Sequence, residues 1–68
     1  MKNNIKAILK QKEISIRRLS IGLGKPYSFT HDLVNRESLA VTQLSTLVEV
    51  ADFLGVYIED LYSKRERS

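Results

Sequence analysis

The sequence predicts an all-α fold, a compact bundle of about five short helices. Apolar residues recur at intervals of three and four along most of the chain, which is the spacing of one helix face, and no strand-like alternation competes. Residue types that commonly begin or end helices lie between these stretches. With 68 residues, 43% of them hydrophobic, the chain can form one domain with a small core. We assign residues 1–62 to this domain and residues 63–68 to a flexible basic tail.

The first helix is predicted from about Asn3 to Lys12. Ile5, Ile8 and Leu9 recur at helical spacing, and lysines occupy the opposite face. A helix with this pattern packs one side on the core and leaves the other to solvent.

The second helix begins after Ser15, whose hydroxyl can accept a hydrogen bond from an unpaired amide of the first turn. Its buried stripe consists of Ile16, Leu19 and Leu23. Arg17 and Arg18 then point outward.

Two glycines and a proline lie at the end of this helix. Gly22, inside it, costs about 1 kcal/mol relative to alanine, and close packing is the one explanation that the sequence offers. Gly24 can take the positive φ that ends a helix, and Pro26 suits the first turn of the next one. Two helices joined by so tight a turn form a helix-turn-helix, whose second helix can enter a DNA groove.

The third helix directs Phe29, Leu33 and Thr30 inward. Its outward residues are Tyr27, Ser28, His31, Asp32 and Asn35. The segment from Asn35 to Ser38 leads into a loop.

Two more helices complete the predicted bundle. Thr42 is expected to cap the fourth helix, and Gly55 to end it. Its inward positions are Leu44, Leu47, Val48, Ala51 and Leu54. A short last helix carries Ile58, Leu61 and Tyr62.

Composition excludes several classes of function. The chain has no cysteine, so it has no disulfide framework or thiolate metal site. Its one histidine and its acids form no metal-ligand spacing or catalytic dyad, and no glycine-rich phosphate loop is present. We therefore expect no enzyme, no cofactor, no metal and no small-molecule ligand. The apolar runs are too short to cross a membrane and no export signal begins the chain, which favours a cytoplasmic location.

The order of these elements resembles the phage repressor and Cro type of helix-turn-helix domain, the XRE family. The resemblance covers the chain from about Ile5 to Tyr62. It rests on Leu19, Leu23 and Gly24 at the turn and on residues 44–56, which match the family's fourth helix. It implies a lambda-repressor-like fold that binds double-stranded operator DNA.

Several positions depart from the family pattern. Ile16 occupies the position where the family usually has a glutamine that binds a phosphate. Ser20 occupies the position of a usual small alanine. Thr30 stands where an aliphatic core residue is common, and Arg36 replaces the glycine that often follows the asparagine matching Asn35. These departures bear on DNA docking more than on the fold.

By motif position, the base-reading residues are Tyr27, Ser28, His31 and Asp32. Serine and histidine can bond to base edges, and aspartate can accept from the cytosine amino group. Each of three residues has an alternative role. Tyr27 could cover the edge of the core, and His31 could be merely solvated. Asp32 could form a local salt bridge or cap, which we favour over base reading.

Phosphate contacts are expected from basic groups and helix ends around the turn. The candidates are Arg17, Arg18, Lys25, Asn35, Arg36 and Ser38. The net charge of +3 agrees with a nucleic-acid partner without requiring one.

The leading hypothesis is a sequence-specific transcriptional regulator of the Cro or repressor type, from a phage or mobile-element switch. The alternative is a protein-interaction module of the same fold, which acts as an anti-repressor or as the heteromeric partner of another repressor. Domains of this kind often bind as symmetric dimers. Val50, Phe53, Val56 and Tyr57 are candidates for a homodimer seam, or they complete the core.

Overall fold

The chain folds into five helices within residues 2–62, the part that the computed structural model describes. These helices are α1 (Ile5–Lys12), α2 (Ile16–Leu23), α3 (Tyr27–Asn35), α4 (Leu44–Leu54) and α5 (Glu59–Tyr62). The predicted all-α bundle is therefore confirmed. The predicted basic tail at 63–68 lies outside the described residues.

The core draws on all five helices and on the loop before α4. Its buried apolar residues are Ile5, Leu9, Leu19, Leu33, Val34, Leu39, Leu47, Val50, Ala51, Leu54 and Leu61. Val50 is fully buried, so it completes the core and is unavailable to a dimer seam. Phe53 and Tyr57 remain 38% and 71% exposed.

The predicted helix ends are largely confirmed. The Ser15 hydroxyl accepts a hydrogen bond from the Arg18 amide at 3.1 Å. Gly24 and Gly55 end α2 and α4 with φ of 67° and 70°. This left-handed backbone conformation costs free energy for residues that have a Cβ atom. Pro26 lies one residue before α3, with extended backbone at its N-cap, and not inside the first turn as predicted.

The prediction that Thr42 caps α4 is wrong. The N-cap residue is Gln43, whose side chain makes no capping hydrogen bond. The Thr42 hydroxyl instead accepts a hydrogen bond from Arg36 Nη1 at 2.8 Å. The hydroxyl is thereby committed to a contact between the loop and α3.

Two of the predicted inward positions of α4 face outward. Leu44 is 67% exposed and Val48 44% exposed. The buried stripe of α4 is formed by Thr46, Leu47, Val50, Ala51 and Leu54. The helix is therefore rotated so that Leu44 and Val48 lie at the edge of that stripe.

Gly22 lies where the ring of Phe53 crosses α2. A Cβ atom on Gly22 would be 2.5 Å from Cδ1 and 2.8 Å from Cζ of Phe53, separations that real side chains do not tolerate. The close packing predicted for Gly22 is confirmed, and the partner is α4.

The segment before α1 forms hydrogen bonds with the end of α3 and with α5. The Asn3 carboxamide donates to the carbonyl oxygens of Leu33 and Arg36, both at 2.8 Å. The Asn4 amide donates to the Leu61 carbonyl at 2.8 Å. The start of the chain thus holds the C-terminal end of α3 and the last helix together.

Candidate nucleic-acid interface

The turn between α2 and α3 is closed by backbone hydrogen bonds. The Gly24 amide donates to the Ile21 carbonyl at 3.2 Å and the Lys25 amide to the Ser20 carbonyl at 3.1 Å. These bonds satisfy the carbonyl oxygens at the end of α2. Pro26, with φ of −61°, then leads directly into α3. The helix-turn-helix predicted from the sequence is therefore present, and α2 packs against both α3 and α4.

α3 has one buried and one exposed side. Thr30, Leu33 and Val34 are buried. Thr30 occupies the aliphatic core position because its hydroxyl donates to the Pro26 carbonyl at 3.2 Å, which satisfies the polar group. Five polar or aromatic side chains are exposed on the other side, namely Tyr27, Ser28, His31, Asp32 and Asn35. The structure therefore brings the four predicted base-reading residues together on one outward surface.

Neighbouring side chains order part of this surface. The rings of Tyr27 and His31 lie 5.8 Å apart at an angle of 35°. The Asn35 carboxamide donates to the His31 carbonyl at 2.9 Å. Tyr27 is 52% exposed, so its ring stands on the surface and does not seal the core.

Asp32 forms the local salt bridge that the sequence favoured. Its Oδ2 lies 2.8 Å from Nη2 of Arg36, one helical turn along the chain. The Arg36 side chain is 24% exposed and that of Asp32 is 70% exposed. Because Nη1 of the same guanidinium binds Thr42, Arg36 links α3 to the loop before α4.

The other predicted phosphate contacts surround α3. Arg17 and Arg18 are exposed on the first turn of α2. Lys25 is half-buried, and its ammonium lies 5.7 Å from the centre of the Phe29 ring. Ser38 is half-buried, and its hydroxyl accepts from the Ala40 amide at 3.1 Å. Basic groups therefore lie at both ends of α3.

A shallow depression between α2 and α3 was not predicted. It is lined by Arg17, Ser20, Ile21 and Tyr27. Ile21 is 73% exposed. Ile21 could have been suspected from the sequence, because it is an aliphatic residue outside the buried stripe of α2.

Two lysines near the start of the chain were also missed. Lys6 Nζ lies 3.4 Å from Asn35 Oδ1, and Lys2 pairs with Ser38 in an isolated antiparallel bridge. The two residues of each pair are far apart in the sequence, 29 residues for Lys6 and Asn35 and more for Lys2 and Ser38, so no local pattern could reveal these contacts.

Among residues 2–62, no group of three His, Cys, Asp or Glu side chains could hold a metal ion. None of the helices that the structure describes is long and apolar enough to cross a membrane.

Comparison with known proteins agrees with this geometry. A family model described as the Cro/C1-type HTH DNA-binding domain matches residues 4–64. No curated protein matches the sequence significantly. The family match spans the helix-turn-helix, the α4 segment and the last helix. The chain therefore belongs to the family of Cro/C1-type helix-turn-helix DNA-binding domains.

Proposed function

We propose that this protein is a transcriptional regulator of the Cro or repressor type, which binds a specific double-stranded DNA operator with α3 in the major groove. The exposed polar surface of α3 is the observation that carries this proposal. A recognition helix needs one side packed on its own domain and another available to base edges. α3 has one buried side and one exposed side along its whole length.

Base reading is assigned to the exposed residues at and after the start of α3. Tyr27 and Ser28 offer hydroxyls, and the His31 ring can donate to guanine acceptors. Asp32 can accept from a cytosine amino group. The Asp32 carboxylate reaches a base while bound to Arg36, so the guanidinium limits its repulsion by phosphates.

Phosphate binding is assigned to six residues around α3. They are Arg17, Arg18, Lys25, Asn35, Arg36 and Ser38. Such contacts position a protein on the duplex and carry no sequence information. The exposed arginines on the first turn of α2 are the strongest members of this set, because no carboxylate among residues 2–62 forms an ion pair with either of them.

We further propose a homodimer on a palindromic operator, within a phage or mobile-element switch. Symmetric dimers place two recognition helices one helical turn of DNA apart. Phe53 and Tyr57, both exposed late in the chain, support a hydrophobic seam there. Sedimentation velocity of the protein with and without its operator duplex measures the stoichiometry, and one protomer on a single half-site would contradict the dimer.

The direct test begins with selection of binding sites from random duplex DNA. Gel-shift titrations of the selected site at two salt concentrations then give the salt dependence, which we expect to be steep. Each phosphate contact contributes about 0.9 to the slope of log K against log salt. Arg17→Ala should reduce the slope by about that amount, whereas Lys10→Ala, on the exposed side of α1, should leave it unchanged. Failure to enrich any duplex overturns the proposal.

The second candidate function is a protein-interaction module that docks onto another regulator. The exposed side chains of Ile21 and Tyr27, in the depression between α2 and α3, favour it. Exposed apolar surface of this kind often marks a protein interface. If Ile21→Ser abolishes binding to a repressor partner while Arg17→Ala has no effect on any activity, this second function is the correct one.

A further inference from the structure

We propose that Lys2 and Lys6 form a second phosphate-binding cluster with Asn35 and Ser38, which holds the DNA backbone beside the C-terminal end of α3. This inference rests on the proposed DNA-binding function. It adds residues from the start of the chain to an interface otherwise built from α2, α3 and the loop that follows.

The backbone places both lysines beside α3. Lys2 pairs with Ser38 across an antiparallel bridge. Asn3 fixes this arrangement, since its carboxamide donates to the carbonyls of Leu33 and Arg36. Lys6 is the second residue of α1, and its Nζ donates to Asn35 Oδ1 at 3.4 Å.

The charge of these lysines is available to an anion. Both side chains are exposed. In the described part of the chain, the one ion pair joins Arg36 and Asp32, so neither lysine has a carboxylate partner there. Asn35 is a neutral partner, which orients the Lys6 ammonium without cancelling its charge.

The same ion pair explains why the lysines are needed. Arg36 is the arginine assigned to phosphate binding at this end of α3, but Asp32 offsets the charge of its guanidinium. The pair has no net charge. Lys2 and Lys6 therefore supply the positive charge at this end of the recognition helix.

The length of α3 gives the two ends separate targets. At 1.5 Å per residue, its nine residues span about 13 Å, close to the major-groove width of about 12 Å. Lys25 precedes the N-terminal end of α3, whereas Lys2 and Lys6 lie at its C-terminal end. The two ends should contact different phosphates.

The test compares three single variants of the full chain on the selected duplex, Lys2→Gln, Lys6→Gln and Lys10→Gln. Lys10 is the matched control because it is also an exposed lysine of α1 and lies one helical turn after Lys6. We expect Lys2→Gln and Lys6→Gln each to reduce the salt slope by about 0.9, and Lys10→Gln to leave it unchanged. Lys6→Arg should retain the wild-type slope.

Ethylation interference gives an independent readout. Phosphates whose ethylation blocks wild-type binding but no longer affects Lys6→Gln should differ from those found with Lys25→Gln. If Lys6→Gln and Lys10→Gln reduced the salt slope equally, the effect would come from the general positive charge of the protein, and this inference would be overturned. A wild-type salt slope for Lys6→Gln would also overturn this inference but leave the proposed function intact. If the wild-type protein binds no duplex, the proposed function and this inference are both overturned. Thermal unfolding of each variant verifies that it is folded.

Discussion

Asp32 is a carboxylate on the surface of α3 that we propose faces DNA. Its 2.8 Å contact with Arg36 offsets its charge, yet the side chain stays 70% exposed. The Asp32→Asn variant should bind random-sequence duplex more tightly, because one repulsive charge is lost and Arg36 is released. A unit charge about 4 Å away in water is worth about 1 kcal/mol, which corresponds to about a five-fold gain. Fluorescence anisotropy on random and selected duplexes measures both affinities.

The preference for the selected site should fall in the same experiment, since the proposed function assigns base reading to the lost carboxylate. Asp52→Asn is the control, because Asp52 is an exposed carboxylate beside Phe53 on α4 and away from α3. An equal gain for both variants would show that the effect comes from net charge and not from the position of Asp32.

Between elements, the contact of α2 with α4 depends on a missing side chain. The Phe53 ring occupies the space that a Cβ on Gly22 would need. Overpacking of this kind costs about 1–3 kcal/mol, against the gain in helix propensity of about 1 kcal/mol. Gly22→Ala should therefore lower the free energy of unfolding. In a Phe53→Ala background the same change should raise it, and urea unfolding of the four proteins measures this reversal.

Gly24→Ala is the control for that cycle. Its cost comes from a φ of 67° with no atom near the added Cβ, so it should not depend on Phe53. A Gly22→Ala effect of the same sign in both backgrounds would contradict the proposed contact.

The start of α2 depends on one hydroxyl. Ser15 Oγ accepts from the Arg18 amide, and loss of such a cap costs about 1 kcal/mol. Ser15→Ala should therefore lower the midpoint of urea unfolding, while Ser15→Asn, another good cap, should recover most of the loss. Equal midpoints for the wild type and Ser15→Ala would show that the cap does not contribute to stability.

The elements that could be predicted from the sequence are those whose signals are local. The cap at Ser15 and the left-handed Gly24 depend on neighbours within one turn, and both are confirmed. Thr42 was mistaken for a cap because its real partner, Arg36, is held by another element. The outward Leu44 could not be predicted, since helical spacing does not reveal which edge of an apolar stripe meets the core.

Across the whole molecule, the candidate interface was predictable only in part for the same reason. Position in the motif predicted that Tyr27, Ser28, His31 and Asp32 would share an exposed surface, which they do. It did not reveal that Lys6 approaches Asn35 from 29 residues away. Contacts of that kind depend on how the start of the chain docks.

That docking gives a prediction for the stability of the entire fold. Asn3 donates to the Leu33 and Arg36 carbonyls and accepts from the Ile5 amide at 3.0 Å. Asn3→Asp keeps the shape and the accepting oxygen but cannot donate when ionised. It should lower the free energy of unfolding by about 1–3 kcal/mol, and by more than Asn3→Ala, because a carboxylate would face carbonyl oxygens.

Urea unfolding followed by circular dichroism measures these differences. Gln11→Glu makes the same amide-to-carboxylate change at an exposed position of α1 and should remain within about 0.5 kcal/mol of the wild type. Equal losses for Asn3→Asp and Gln11→Glu would mean that the start of the chain is not anchored to α3. Lys2 and Lys6 would then lack a fixed position beside α3, because the Asn3 carboxamide connects their segment to the end of that helix.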